Sequence, residues 1–365
     1  MRILTGIDLP FAPSSGSFTL CDGLYSDLLK NDKVRFLALN SEIGKKWSKI
    51  KDVHILNIKK ETDQEKFSGY VSAISKEIKK HISEFNPDII HIQHLSFGMA
   101  VALSETKLPK IAICHGTGVE FAINSDFHQN NVRKVIHSAN KVIFPTKSMY
   151  DDYKRVFNVS KKKMIVPWGI PDELCNQAIL KNNWGKEKYH ILYAGRLSEN
   201  KGVDLIIKSL TLLDKRVVLT VIGSGDQLEK LKRLAKELNL MNRVKFIPFQ
   251  KRDKLWKYFK NFDTLIVSTK IIEAFCLTAV EAQAYGLPVI YSNIGGTKDV
   301  IGRSGIMFQG GNYKDLADKI NELMFNFSLL DKYSEFSIEN AKKYKISKTK
   351  NFFWDISNKI ITNKL

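Results

Sequence analysis

Two glutamates stand out in the stretch Thr264 to Val300, TLIVSTKIIEAFCLTAVEAQAYGLPVIYSNIGGTKDV. Glu273 and Glu281 have seven residues between them. Eight helical steps turn about 800°, about 80° from an exact overlap, so two such carboxylates can face one cleft. A carboxylate accepts two hydrogen bonds at once, which suits the diol of a ribose. Between the acids, the amides of Phe275, Cys276 and Leu277 would sit near a helix N-terminus. Free N–H groups and the helix dipole there favour a phosphate. The plain alternative is a solvated helix with two surface acids.

A second cationic pair has the same flavour. Gly195-Arg196-Leu197 follows an apolar run, and Lys201-Gly202 opens the next helical pattern. Arg binds a diphosphate in bidentate fashion and Lys as a point charge. In so basic a chain the alternative is two surface cations. Gly223-Ser224-Gly225 lies between a strand and a helix, but Leu228 stands where a dinucleotide fingerprint wants Gly or Ala. NAD binding is therefore not expected. The chain has no D-x-D, H-E-x-x-H or G-x-S-x-G, so nothing supports a carboxylate-held metal, a zinc protease or a serine hydrolase. His115 falls at the C-terminal end of the strand pattern KIAICHG, where open parallel sheets bind ligands. His91 and His94, three apart on the strand pattern DIIHIQH, would point to opposite faces and cannot share a metal.

These residues need elements to position them. Thr264–Ser268 is a β-branched apolar run, which reads as a buried parallel strand. Ala279–Gly286 reads as a helix ended by a glycine cap, and Pro288–Ser292 as the next strand. Loop Thr269–Leu277 is then the ligand-binding end of a strand–helix–strand unit. The same alternation runs through the chain. It starts with strand Arg2–Asp8, loop Pro10–Ser17 and helix Phe18–Lys30. The stripe Phe67, Val71, Ile74, Ile78, Ile82, Phe85 predicts a core-facing helix. Pro171–Lys188 is polar and aperiodic, and the alternation restarts at Tyr189. The expected domains are 1–170 and 171–347, with a final amphipathic helix, 348–365, packing back on the first.

At 365 residues the chain can build two cores. No apolar run approaches the roughly 20 residues that span a bilayer. Four cysteines without a C-x-x-C suit a reducing, cytoplasmic setting and no zinc site. The net charge of +19 divides into +8 up to Ile170 and +11 beyond it. Such a surface suits an anionic partner: a membrane face, a nucleic acid or a phosphorylated substrate. A lysine-rich solvated surface is the simpler account.

Taken together, PSSGS, DIIHIQH, CHG, SANKVIFPTKSMYDDY, VPWGI, GRLSENKG, VIGSGDQLEKL and EAFCLTAVEAQAYGLPVI resemble the retaining glycosyltransferases of family 4. The resemblance covers nearly the whole chain. It implies the GT-B fold, two Rossmann-like α/β domains whose parallel sheets face a cleft. It implies that Arg196 and Lys201 hold the donor diphosphate, that Glu281 binds the ribose and that Glu273 contacts the donor sugar. His115 would line the sugar pocket, and Gly16 would sit near the phosphates and acceptor. The donor would be UDP- or GDP-linked, transfer would retain configuration, and no metal or cofactor would be needed. Three positions depart from the pattern. E-G-F-G is here Glu273-Ala274-Phe275-Cys276, Asp299 stands where Glu is usual, and Trp168 stands where Asn is usual. Any left-handed backbone at the lost glycines becomes costly.

The resulting expectation is a cytoplasmic glycosyltransferase, peripheral to the membrane if its acceptor is lipid-linked. Glycan, protein and DNA acceptors are equally compatible with the basic surface. The rivals are a sugar-nucleotide epimerase on the same fold and a non-catalytic nucleotide-sugar or nucleic-acid binding protein.

Overall fold

The computed structural model describes all residues except 9–14, 27–32, 40–45, 47, 117–121, 123–124, 160, 177–183, 185–186 and 364–365. Most of loop Pro10–Ser17, the far end of the first helix and much of the polar stretch before Tyr189 therefore lie outside the described residues. The chain forms two compact units, Met1–Trp168 with Ile346–Leu365, and Gly169–Lys345.

The first unit is built on seven parallel strands. They are β1 (Arg2–Ile7), β2 (Lys33–Leu39), β3 (Asp52–Leu56), β4 (Ile89–Gln93), β5 (Lys110–Ile113), β6 (Lys141–Phe144) and β7 (Lys163–Ile165). Their order is β3-β2-β1-β4-β5-β6-β7. The strand Ile89–Gln93 is buried at every position, its His91 and Gln93 included, because helices cover both faces of a parallel sheet. The order reverses between β1 and β4, which makes the C-terminal ends of those strands the natural ligand crevice.

The helix Phe67–Phe85 buries Phe67, Tyr70, Val71, Ile74, Ile78 and Phe85, and ends at Asn86 in the left-handed region. Its Tyr70 ring packs on Gly98, where a Cβ would come within 2.3 Å of the ring. Gly98 opens a helix that the sequence pattern does not show, Gly98–Ser104. All seven of its residues are buried, so no polar face exists to betray a helical period. The final helix is Ile346–Ile361, opening two residues before the expected start at 348. It belongs to the first unit: Thr349 Oγ1 donates to the Pro167 carbonyl at 2.9 Å and Lys350 Nζ to that of Ser26 at 2.7 Å.

The second unit has six parallel strands, β8 (Tyr189–Ala194), β9 (Val217–Ile222), β10 (Val244–Ile247), β11 (Thr264–Val267), β12 (Val289–Ser292) and β13 (Ile306–Phe308). Their order, β10-β9-β8-β11-β12-β13, repeats the reversal of the first sheet between β8 and β11. Alternate residues feed opposite cores. Ile191 and Tyr193 enter one cluster and Leu192 the other, as a two-residue period requires. A short helix, Thr297–Val300, and β13 were not visible in the sequence pattern. Among the described residues no helix is long and apolar enough to cross a membrane.

Candidate functional site

In the second unit the loops after β8 and β11 leave the sheet side by side at the reversal. They are fastened to each other: Ser268 Oγ donates to the Lys201 carbonyl at 2.9 Å, and Lys270 N donates to that of Asn200 at 2.8 Å. Gly202 sits at φ +65, and a Cβ there would lie 2.0 Å from the Ser268 carbonyl oxygen. Only glycine permits that approach. The junction carries Lys201 to Glu273, and the Lys201 ammonium donates to Glu273 Oε2 in an ion pair. Burial alone would lower the Lys201 pKa; the charge and hydrogen bond of Glu273 outweigh it and hold the value above the ordinary lysine range. Glu273 is clamped from behind by the Gly295-Gly296 turn. Gly296 N donates to the Glu273 carbonyl at 2.7 Å, and Gly295, at φ +63, leaves no room for a Cβ against Glu273 N.

Gly223-Ser224-Gly225 braces the first loop. Leu197 N donates to the Ser224 carbonyl at 2.9 Å and Gln227 N to that of Leu197 at 3.0 Å. A Cβ on Gly223 would meet the Gly195 carbonyl oxygen at 1.9 Å, and one on Gly225 the Leu197 carbonyl oxygen at 2.2 Å. These glycines thus serve backbone packing. Tyr193 OH donates to the Arg196 carbonyl at 2.7 Å, and Arg196 itself is exposed.

The helix carrying Glu281 is Leu277–Ala284, opening two residues before the expected Ala279. Glu273 is a loop residue, so the helical-angle argument that joined the two acids does not hold; each acid instead has its own cation. Glu281 is 1% exposed, and Arg252 Nη1 donates to its Oε1. Its Oε2, like Arg252 Nε, is buried without a hydrogen-bond partner among the described residues. Sequence reasoning gave Arg252 no role. Its one signal was a basic residue opening the helix Arg252–Phe259 that follows β10, at the ligand end of the sheet.

Cys276 caps this helix with φ +64 and ψ +67. The cost foreseen for a non-glycine residue here is real, on the order of 1–2 kcal/mol. Burial first, then the negative charge of Glu273, pushes the Cys276 thiol up to about 12, so it stays protonated and is no nucleophile. The Phe275 side chain is fully buried, edge-on to Tyr344 with ring centroids 5.2 Å apart, so it belongs to the core. Asp299, where the pattern has Glu, lies exposed on Thr297–Val300.

In the first unit Gly16 begins the helix Gly16–Tyr25; it is exposed, and a Cβ there would meet nothing within 4 Å. The next residue, Ser17, reaches two histidines: His94 Nε2 at 3.1 Å and His115 Nδ1 at 3.5 Å. The imidazoles of His94 and His115 stack with centroids 4.1 Å apart, and Trp168 lies 5.2 Å from His115. Gln93 fixes the protons of a longer chain. Its amide nitrogen donates to Thr5 Oγ1 at 3.1 Å and Tyr25 OH at 2.7 Å, so its oxygen accepts from His115 Nε2 at 2.9 Å. Tyr25 OH then donates to His91 Nδ1 at 3.0 Å, His91 Nε2 to Ser357 Oγ at 2.9 Å, and Ser357 to the Phe353 carbonyl at 2.7 Å. Each donor finds one acceptor only if every imidazole is neutral. Burial enforces this: His91 and His115 are pushed down to about 3, and His94 well below its usual range.

The structure therefore gathers Arg196, Lys201, Glu273, Glu281 and the Cys276–Leu277 backbone at the strand ends of the second unit. His115 and Gly16 lie at the corresponding end of the first.

A family model for glycosyl transferases group 1 matches residues 177–344, and one for glycosyltransferase family 4 matches residues 38–174. An uncharacterised glycosyltransferase of Methanocaldococcus jannaschii is 27% identical over 231 residues, 59% of this chain. The match spans 57% of that relative's own length. Sucrose-phosphate synthase from Thermosynechococcus elongatus superposes with a TM-score of 0.83 at 16% identity, over 100% of both chains. Anabaena HepE, in complex with UDP and glucose, gives 0.79 at 16% identity over 98% of this chain and 99% of its own. At such identities the likeness is one of fold.

Proposed function

This chain belongs to the family 4 glycosyltransferases and has the GT-B fold, and we propose that it transfers a sugar from a UDP-linked donor with retention and without a metal. The observation that carries the donor assignment is Glu281. A carboxylate 1% exposed, with one oxygen paired to Arg252 and the other free among the described residues, is an acceptor prepared for hydroxyl donors. A ribose diol supplies two. Because the site's cations stand at neighbouring strand ends, the diphosphate of the same ligand falls to Arg196 and Lys201.

Charge develops on the diphosphate as the sugar leaves, and cations fixed in advance stabilise it. Arg196 offers a fork and Lys201 a point charge. The amides of Cys276 and Leu277 add the positive end of a helix. Before donor arrives, Glu273 neutralises Lys201. A diphosphate takes over that role and frees Glu273 for hydroxyls of the donor sugar. Phe275 contributes through its backbone only. His115 and Gly16, at the strand ends of the first unit, are assigned here to binding of the sugar and of the acceptor, and a Cβ on Gly16 would meet nothing within 4 Å. The buried thiols of Cys21, Cys114 and Cys175, none of them in a disulfide, support a cytoplasmic setting, and the +19 charge supports peripheral association with an anionic surface.

The test is mass spectrometry of the protein with a panel of nucleotide sugars, with and without hydroxyl acceptors, in EDTA. Transfer of a hexosyl mass to an acceptor with release of UDP is expected, and NMR of the product reads its anomeric configuration. Conversion of donor to an isomer without acceptor would point to an epimerase. Binding without turnover of any donor would leave only a binding protein. Loss in EDTA restored by manganese would refute the metal-free mechanism.

A further inference from the structure

We propose that His94 is a substrate-binding residue, its Nδ1 accepting a hydrogen bond from a sugar hydroxyl; this rests on the glycosyl-transfer reading above. His94 follows β4 at the reversal of the first sheet, where ligands bind in such folds. It is one of few non-glycine residues with a left-handed backbone, at φ +64. Backbone strain at a β-carbon-bearing residue persists only where the surroundings enforce it. Here the strand stops at Gln93, and the kink lays the ring on His115. The ring is 1% exposed, and its Nδ1 is buried with no hydrogen-bond partner among the described residues.

The proton inventory says what Nδ1 offers. His115 gives its Nε2 proton to Gln93, so His115 Nδ1 is a lone pair. Ser17 lies between that lone pair and His94 Nε2, and it has one proton. Both contacts are hydrogen bonds in one arrangement only: Ser17 donates to His115, and His94 Nε2 donates to Ser17. His94 Nδ1 is then a bare acceptor. Its ligand must bring a donor, and a sugar hydroxyl is the donor that this reaction supplies. The basicity argues for binding rather than proton abstraction. Burial, then His115 and Lys60, hold the His94 pKa well below its usual range. A general base works best near the operating pH. His94 therefore orients a hydroxyl. His115, with both ring nitrogens engaged, positions His94 by stacking and through Ser17.

The hydroxyl belongs either to the transferred sugar or to the acceptor, and two arms separate these. One measures hydrolysis of UDP-glucose without acceptor; the other measures transfer from UDP-glucose to p-nitrophenyl hexosides. If wild type prefers another nucleotide sugar, that donor replaces UDP-glucose in both. His94→Gln keeps a polar group toward Ser17 and removes the acceptor at the Nδ1 position. His94→Asn places an oxygen near Nδ1 and suits a left-handed backbone. We expect His94→Gln to raise KM about tenfold for the substrate that bears the hydroxyl, with kcat little changed. His94→Asn should restore most of that loss. A merely structural role would shift the melting temperature and would leave no KM-against-kcat split for Asn to rescue. KM in His94→Gln equal to wild type in both arms overturns the inference while the transferase reading stands. A wild type that turns over no nucleotide sugar overturns both.

Discussion

Three of the four buried histidines described in the first unit, His91, His94 and His115, make its stability depend on pH in a defined direction. His91, His94 and His115 are at most 2% exposed, and burial depresses all three. In the unfolded chain each titrates near its ordinary value of about 6.5. A depressed native pKa contributes stability that is present above the unfolded value and is lost as pH falls toward the native one. For His91 and His115 that window runs from about 6.5 down to about 3. At pH 5.5 each unfolded imidazole has taken a proton that its native counterpart refuses, worth about 1.4 kcal/mol. The two together remove about 3 kcal/mol, and His94 acts in the same direction. Asp8 and Asp22 act in the opposite direction: burial raises both carboxyls, so their cost is relieved as pH falls. His81, lowered first by burial, acts with the other imidazoles, and four imidazoles against two carboxyls leave a net loss. A unit of this size should melt roughly 6–12 °C lower at pH 5.5 than at pH 7.5. Calorimetry reads the shift, and hydrogen exchange of β1, β4 and β5 amides assigns it to the first unit. His91→Gln should remove about a third of the pH slope, whatever it does to stability at neutral pH. A melting temperature unchanged within about 2 °C between these pH values would refute the neutral relay.

Other outcomes follow from the second unit. Lys201→Ala should lower kcat more than it raises donor KM, by about 10²–10³-fold for one lost charge contact, and Arg196→Lys should restore little because a point charge cannot copy a fork. Wild-type turnover in Lys201→Ala and Arg196→Ala would place the diphosphate elsewhere. Glu281→Gln should weaken UDP binding by about 1.5–3 kcal/mol in calorimetric titration. It should also destabilise the unit by leaving Arg252 without its counter-charge, so binding is compared well below the variant's melting temperature. Gly202→Ala should cost about 3 kcal/mol in thermal melts, from overpacking and left-handed strain, whereas Gly311→Ala, at φ +80 in open space, should cost about 1 kcal/mol.

What was legible in the sequence was mostly local. Arg196, Lys201 and Glu273 could be placed at strand ends because β-branched runs such as Thr264–Val267 announce buried strands and glycines mark where they stop. The function of Gly223 and Gly225 was not legible, since it lies in a carbonyl contact with residues about 28 positions earlier. Helix Gly98–Ser104 escaped because a segment buried on every side has no amphipathic period. Arg252 escaped because its partner, Glu281, belongs to another strand–helix unit. His94 was assigned to a strand face by its two-residue period, but β4 ends one residue earlier, and a left-handed turn breaks the alternation.

The strand ends of the two units follow opposite electrostatic rules, and this bears on what each can bind. At the strand ends of the second unit two carboxylates are matched by cations, half-buried Glu273 by Lys201 and buried Glu281 by Arg252. A charged pair out of water keeps strong fields, and those fields discriminate for a charged ligand. An arriving diphosphate exchanges with Glu273 as partner of Lys201, so the cation is never left uncompensated. In the first unit the polar groups around His115 are neutral, each proton assigned by its neighbour along a path from Ser17 to Ser357. Such a relay has no charge to offer a phosphate. It holds lone pairs and donors in fixed places, which is what recognition of uncharged hydroxyls requires. Exchanging the two designs should therefore fail: a cation buried beside His94 would be unpaired there and costly, and a neutral group at position 201 would leave Glu273 as a half-buried anion without its cation.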